Sequence, residues 1–253
     1  MKIDFEDCVV IVTGAARGFG RAIALSFSSH NARVHVCDID DDGLSETYSL
    51  ANSATVAIHH VDVGNRESVQ AMVRNVEKTD RRIDILVNNA GGVLGQVGKP
   101  IEEISEADWQ AILDVNLSGA FFMSQAVAPI MKRQKFGRIV NISSGAGLGV
   151  SLTGIQAYTS AKAGQIGLTR QLAHELGAWG ITVNNIAPGF VRSNPTTERQ
   201  WKAMGPSGRA QLIQNIALHR LGTPEDITTM VMFLASEYAC WVTGQVISVD
   251  GGK

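Results

Sequence analysis

Hydrophobic positions along the chain fall into short continuous runs separated by amphipathic stretches. Cys8-Val9-Val10-Ile11-Val12 is uninterrupted and rich in β-branched residues, the composition of a strand covered on both faces. Comparable runs recur at 33–37, 56–58, 83–87, 138–142, 182–186 and 245–249. His59 and His60 are adjacent, so they cannot share a helix face, and they are expected to lead into a strand. Helical spacing fills 19–29, 66–80, 105–133 and 156–178. Ser105-Glu106-Ala107-Asp108 and Thr223-Pro224-Glu225-Asp226 have the hydroxyl cap and early acids of helix starts, the second with proline at its first position. Lys132-Arg133 suits a helix end, and Gly137 is expected to stop that helix. Strands alternating with helices predict an α/β fold, a parallel sheet with helices on both faces. Only 190–222 reads as irregular.

With 253 residues, 45% of them hydrophobic, the chain is long enough for one domain over 1–253 with a sizeable core. Its net charge of −2 offers no global field for nucleic acid or an anionic membrane. The first seven residues hold three acids, unlike a signal peptide, and no run approaches the about 18 apolar residues of a spanning helix. Cys8, Cys37 and Cys240 form no CxxC pair and no metal-ligand spacing. They are expected as reduced thiols inside the core of a cytoplasmic protein, and no metal is expected.

Candidate chemistry begins at Thr13-Gly14-Ala15-Ala16-Arg17-Gly18-Phe19-Gly20, between the first strand and the first helix. Glycines there let the backbone approach a pyrophosphate, and the helix amino end supplies unpaired N–H donors. The spacing is G-x-x-x-G-x-G rather than G-x-G-x-x-G. Asp38 ends the second strand, where a carboxylate can accept from the adenosine ribose hydroxyls. Ile39 follows it, so a 2′-phosphate would meet like charge with little relief, which favours NAD over NADP. Arg17 opposes this, because it can hold a phosphate. One charge-assisted hydrogen bond, about 1.5–3 kcal/mol, sets the preference at roughly tenfold to a hundredfold.

Further along stand Asn88-Asn89-Ala90-Gly91, Asn141-Ile142-Ser143-Ser144, Tyr158-Thr159-Ser160-Ala161-Lys162 and Pro188-Gly189. In order and spacing, from Thr13 to Val249-Asp250-Gly251-Gly252, the chain resembles the short-chain dehydrogenase/reductase family. The resemblance implies a single-domain, Rossmann-type doubly wound sheet of seven parallel strands. It implies a catalytic tetrad of Asn116, Ser144, Tyr158 and Lys162, with Ser143 as the alternative serine because Ser144 stands one residue further from Tyr158 than is common. It also implies cofactor contacts at Gly14, Arg17, Gly18, Phe19, Gly20, Asp38, Asp62, Val63, Asn89, Ala90, Gly91, Tyr158, Lys162, Pro188, Gly189, Val191 and Ser193. Family members are often homotetramers that pack paired helices and the edge of the last strand. The small residues Ala161, Ala163, Gly164 and Gly167 permit such packing.

Tyr158 and Lys162 are four apart and share a helix face. A phenol near pKa 10 is a poor base at neutral pH, and lowering it by three units takes about 4 kcal/mol. A Lys162 ammonium and an oxidised nicotinamide are expected to supply that, because positive charge favours the phenolate. Ser144 would orient the substrate oxygen, and Asn116 would hold a water linking Lys162 to solvent. Tyr158 would then take or return the hydroxyl proton as hydride moves to or from the cofactor.

The substrate lid is expected at 190–222. It carries Arg192, Arg199, Lys202, Arg209 and Arg220 against Glu198 alone, which suggests an anionic substrate such as a sugar acid clamped by Arg192. Asn194 and Gln214 are further substrate candidates, and Trp201 and Met204 candidate lid packing. Three functions compete. The first is an NAD-dependent dehydrogenase of a sugar, sugar acid or polyol. The second is an NADPH-dependent reductase of 3-oxoacyl thioesters, against which Asp38 speaks. The third is a non-catalytic dinucleotide sensor, which predicts an eroded tetrad.

Overall fold

The β-branched run that opens the chain becomes the centre of a parallel sheet. β1 (Val9–Thr13) is buried along its whole length and pairs with β2 (Arg33–Asp38) on one side and β4 (Ile85–Asn88) on the other. The computed structural model describes residues 3–51 and 55–253. With β3 (Val56–His60), β5 (Gly137–Ile142), β6 (Ile181–Pro188) and β7 (Val246–Val249), the sheet among the described residues has seven parallel strands in the order β3-β2-β1-β4-β5-β6-β7. The order reverses between β1 and β4. In sheets of this kind the crevice beyond the strand carboxyl ends at that point receives the ligand.

Alternate side chains of β1 feed two cores, as strand geometry demands. Val10 and Val12 join Ile23 and Phe27 of α1 (Gly18–Ser29) and Ile227 and Val231 of α9 (Pro224–Ala235). Val9 and Ile11 face Val69 of α3 (Arg66–Asp80) and Met123 and Val127 of α5 (Gly119–Gln134). α6 (Gln156–Leu176) covers β6 on this second face. The Thr223 start is a complete capping box. Ser105 caps α4 (Glu106–Leu113) by accepting from Asp108 N.

Several elements differ from expectation. The helix expected over 105–133 is α4, a π turn at Asp114–Ser118, then α5. The continuous helix Glu106–Gln134 is long and apolar enough, by length and composition, to cross a membrane, but it packs on α3 and α6. Gly137 does not stop α5. Lys135 does so in a left-handed conformation, φ 54°, and Gly137 opens β5, where a Cβ would lie 2.5 Å from Met131 Sδ. A further helix, α2 (Asp41–Leu50), is capped by Asp40; the acids at 40–42 were its signal. The region 190–222 is not irregular. It contains α7 (Pro195–Ala203), opened by an Asn194 capping box with Pro195, and α8 (Gly205–Gln214), separated at Gly205, φ +63°. Cys8 is partly buried and Cys37 buried, but Cys240 is exposed, so the thiols are not all in the core. Burial pushes the Cys8 thiol up to about 11.

Candidate active site

The turn from β1 into α1 is shaped by close approach. Gly14 has φ +65°, and a Cβ there would lie 2.7 Å from Ala90 Cα. A Cβ on Gly20 would lie 2.1 Å from the Gly14 carbonyl oxygen. Asn89 Nδ2 donates to the Thr13 and Gly14 carbonyls at 3.0 Å each, and Thr13 Oγ1 accepts from Asn89 N and Ala90 N. Arg17 begins α1 without a side-chain cap, so the helix leaves amino-terminal N–H groups for an anion. Phe19 packs half-buried on the core. Asp38 Oδ2 accepts from Ala16 N at 3.1 Å, which aims its carboxylate beside this turn. Arg17 is ion-paired with Asp40 rather than free for a phosphate. Uncapped N–H groups, glycines that admit a backbone-close ligand and a strand-end carboxylate fit the pyrophosphate and ribose of a dinucleotide.

The tetrad residues converge beyond β4 and β5. Tyr158 is half-buried against Val93, Ile112, Ile155 and Ala157. Burial pushes its phenol up, and a hydrogen bond with Ser144 draws it part of the way back. Ser144 also accepts from Ala146 N at 3.2 Å. Ser143 is spent elsewhere, donating to Asn185 Oδ1 and Ile186 O, so Ser144 is the serine that meets Tyr158. Lys162 is buried, its Nζ donates to Ile142 O at 2.9 Å and lies 5.8 Å from the Tyr158 ring centre. Burial lowers its ammonium to about 8. The surrounding protein therefore raises the phenol, and the expected lowering has to come from added positive charge. Asn116 is buried in the π turn. Its Oδ1 accepts from Gly92 N and its Nδ2 donates to Gly92 O and Ile112 O. The side chain braces the Gly91–Gly92 turn, with one Oδ1 lone pair still open to a further donor. A Cβ on Gly91 would lie 2.6 Å from Asn116 Oδ1 and 3.2 Å from Lys162 Nζ.

The remaining expected cofactor residues line the same crevice or cap its turns. Pro188 ends β6, and Gly189 donates to Val249 O. Val191 is buried and bridges Gly222. The Ser193 carbonyl oxygen would lie 2.9 Å from a Cβ on Gly18, so the segment after β6 closes onto the cradle. Asp62 accepts from Gly64 N, a turn cap, and Val63 is buried against Gly119.

On the substrate side the lid is less available than its charge count suggests. Arg192 makes two hydrogen bonds to Glu198 and lies over Trp201, so it is not a free clamp. Arg209 covers the same ring and donates to two helix carbonyls. Arg220 pairs with Asp226. Asn194 is the cap of α7, while Gln214 is exposed.

The family model described as enoyl-(acyl carrier protein) reductase matches residues 14–253. The chain is 40% identical over 250 residues to the (2S)-[(R)-hydroxy(phenyl)methyl]succinyl-CoA dehydrogenase subunit BbsD of Thauera aromatica, covering 98% of this chain and 97% of that protein. It is 37% identical over 249 residues to the 3-oxoacyl-[acyl-carrier-protein] reductase FabG of Thermotoga maritima, covering 98% of each. The crystal structure of levodione reductase superposes with a TM-score of 0.90 at 32% identity, covering 98% of this chain and 97% of that one. The chain belongs to the short-chain dehydrogenase/reductase family. As a short-chain dehydrogenase/reductase it is an oxidoreductase of CH–OH groups with an NAD(P) cofactor.

Sequence reasoning about this dehydrogenase/reductase missed the partners that fix its site residues. Thr13 knots the cradle to β4, Asp40 holds Arg17, Gly92 receives Asn116 and Glu198 holds Arg192. Only Asp40, beside the helix start it caps, left a local signal.

Proposed function

We propose that this enzyme interconverts a secondary alcohol and a ketone, with NAD as hydride carrier and Tyr158 as acid and base. The observation that carries the reading is the meeting of Tyr158 with Ser144 beside the buried Lys162. Asp38 and the Arg17–Asp40 pair favour NAD, since both leave a 2′-phosphate facing carboxylates without a free cation. A bound nicotinamide would supply the hydride acceptor or donor and, oxidised, a positive charge that favours the phenolate. Tyr158 takes the hydroxyl proton in oxidation and returns it in reduction. Ser144 orients the substrate oxygen. Lys162, its Nζ oriented by Ile142 O, would add charge that favours the phenolate and hold the nicotinamide ribose hydroxyls. Asn116 positions Lys162 through the Gly91–Gly92 turn. A dinucleotide sensor is disfavoured, because each tetrad side chain has a defined partner.

The lid cations Arg199 and Lys202 support an anionic group on the substrate. A sugar-acid carboxylate and the phosphates of an acyl-thioester carrier share that chemistry; the names of the curated relatives favour the second. A cytoplasmic homotetramer is part of the proposal. Ala163 and Gly167 are exposed one turn apart on α6, available to a partner helix, whereas Ala161 is buried and Gly164 packs on Leu117 within the chain. Light scattering checks the assembly. The test of function is oxidation of NADH and NADPH with a panel of ketones. NADH should be used at least about tenfold better, with Tyr158→Phe inactive. Preference for NADPH removes the cofactor reading, and activity in Tyr158→Phe removes the mechanism.

A further inference from the structure

Two loops frame the Tyr158 hydroxyl. One, from β4 to α4, leaves the Gly91–Gly92 turn that Asn116 braces; the other, from β5 to α6, starts at Ser144. They touch each other: a Cβ on Gly98 would lie 3.0 Å from the Thr153 carbonyl oxygen, and Gln156 Nε2 donates to Lys99 O at 3.0 Å. Tyr158 packs on the cluster that joins them, Val93, Ile112, Ile155 and Ala157.

No charged residue occurs over 85–98 or over 139–161. Several polar side chains of the loops are already bonded, within them or to α4. Gln96 donates to Asp108 O at 2.9 Å, the Ser151 and Thr153 hydroxyls bond each other at 2.8 Å and cap their own turn, and Lys99 pairs with Asp108. What faces outward is Leu94, Val97, Leu148, Val150 and Leu152, between 52% and 99% exposed. Scattered apolar side chains on a surface are ordinary, but five of them on two loops that touch each other and pack on Tyr158 suit a binding surface. Leu94 adds a second sign. Its φ of 49° is left-handed, a conformation costly for leucine. It stands between Gly92 and Gly95, so local strain is concentrated on this rim.

We infer that the substrate carries an uncharged apolar substituent on the reacting carbon, seated on Leu94, Val97, Leu148, Val150 and Leu152. The inference rests on the reading of Tyr158 as acid and base at that carbon. Among the described residues these two loops offer a polyhydroxylated chain no charged side chain before Lys99, so the anionic group assigned to the lid lies at the far end of the molecule. This favours an acyl derivative over a sugar acid.

The test uses the full-length enzyme with NADH and three neutral 3-oxo esters: ethyl acetoacetate, ethyl 3-oxohexanoate and ethyl benzoylacetate. A fully buried methylene is worth roughly fourfold in affinity, so kcat/KM should rise about tenfold from the methyl to the propyl ketone. Phenyl should match or exceed propyl, mainly through KM. Val150→Ser and Leu148→Ser should flatten that gradient to under about threefold. Trp241→Ser, outside both loops and 96% exposed, should keep it. A flat gradient in the wild type, or one untouched by the rim variants, overturns the inference while Tyr158-dependent turnover leaves the proposed function standing. A change of oligomeric mass in the rim variants without loss of the gradient also overturns it, assigning the rim to a second copy. Equal turnover of all three esters by Tyr158→Phe overturns the proposed function itself.

Discussion

The cradle between β1 and α1 and the lid after β6 both offer groups to a ligand, but they hold those groups differently. In the cradle every placement is over-determined. Gly14, Gly20, Asn89 and Thr13 are locked by backbone contacts that admit no larger or displaced atom. In the lid, Arg192, Arg209 and Arg220 are exposed or half-buried and satisfied by neighbours in the lid or just past it. A buried, locked group is ready before the ligand arrives and cannot adapt to another. A surface ion pair costs little to exchange. The difference teaches that the cradle is preorganised by backbone geometry, whereas the lid's cations are held by side-chain pairs that can exchange.

The largest expected effect breaks the cradle. Gly20→Ala forces a methyl to 2.1 Å from the Gly14 oxygen, and NAD affinity measured by calorimetric titration should fall roughly a hundredfold. Affinity near wild type would mean that the cradle is as adaptable as the lid. Next, Asp38→Ala removes the carboxylate beside the turn, and the ratio of NADH to NADPH efficiency should drop by about tenfold or more. Smaller again, Arg192→Ala should change kcat/KM less than about threefold, because the guanidinium is already paired and exposed. A loss beyond about thirtyfold on an anionic substrate would show that Glu198 releases Arg192 to the ligand and would return the sugar-acid reading.

The smallest effect lies outside both regions. His35 Nδ1 meets His59 Nε2 at 2.9 Å and His35 Nε2 meets Asp80, which also holds Arg33. Burial lowers His35, and lowers His59 to about 4. Both folded values lie below the unfolded one, so the unfolded chain binds more protons below about pH 6.5 and stability falls from there toward about pH 4, with no slope above. Urea midpoints at about pH 7 and about pH 5 check this, and His59→Gln should reduce the difference.

Most of the fold was legible because doubly covered strands read as unbroken β-branched runs, as at Val9–Thr13. α2 was missed because it is short and polar. α7 and α8 were missed because a lid helix that buries little shows weak periodicity, although Asn194-Pro195 carried the same start signal as Thr223-Pro224. The tetrad was nameable only through the family resemblance, supported by Tyr158 and Lys162 one turn apart on α6 and by Ser144 just after β5. Its wiring was not legible: Asn116 braces Gly92 and Glu198 occupies Arg192 through contacts that only folding creates.

The central claim is that Tyr158 is a phenol held high by burial and brought into range only by Lys162 together with bound cofactor. The most direct test is to follow tyrosinate absorption against pH with and without NAD, in the wild type and Tyr158→Phe, beside the rate of hydride transfer. One tyrosine should titrate at lower pH when NAD is bound, that step should vanish in Tyr158→Phe, and the hydride rate should track it. A hydride rate that persists in Tyr158→Phe, or a titration indifferent to NAD, would contradict the account.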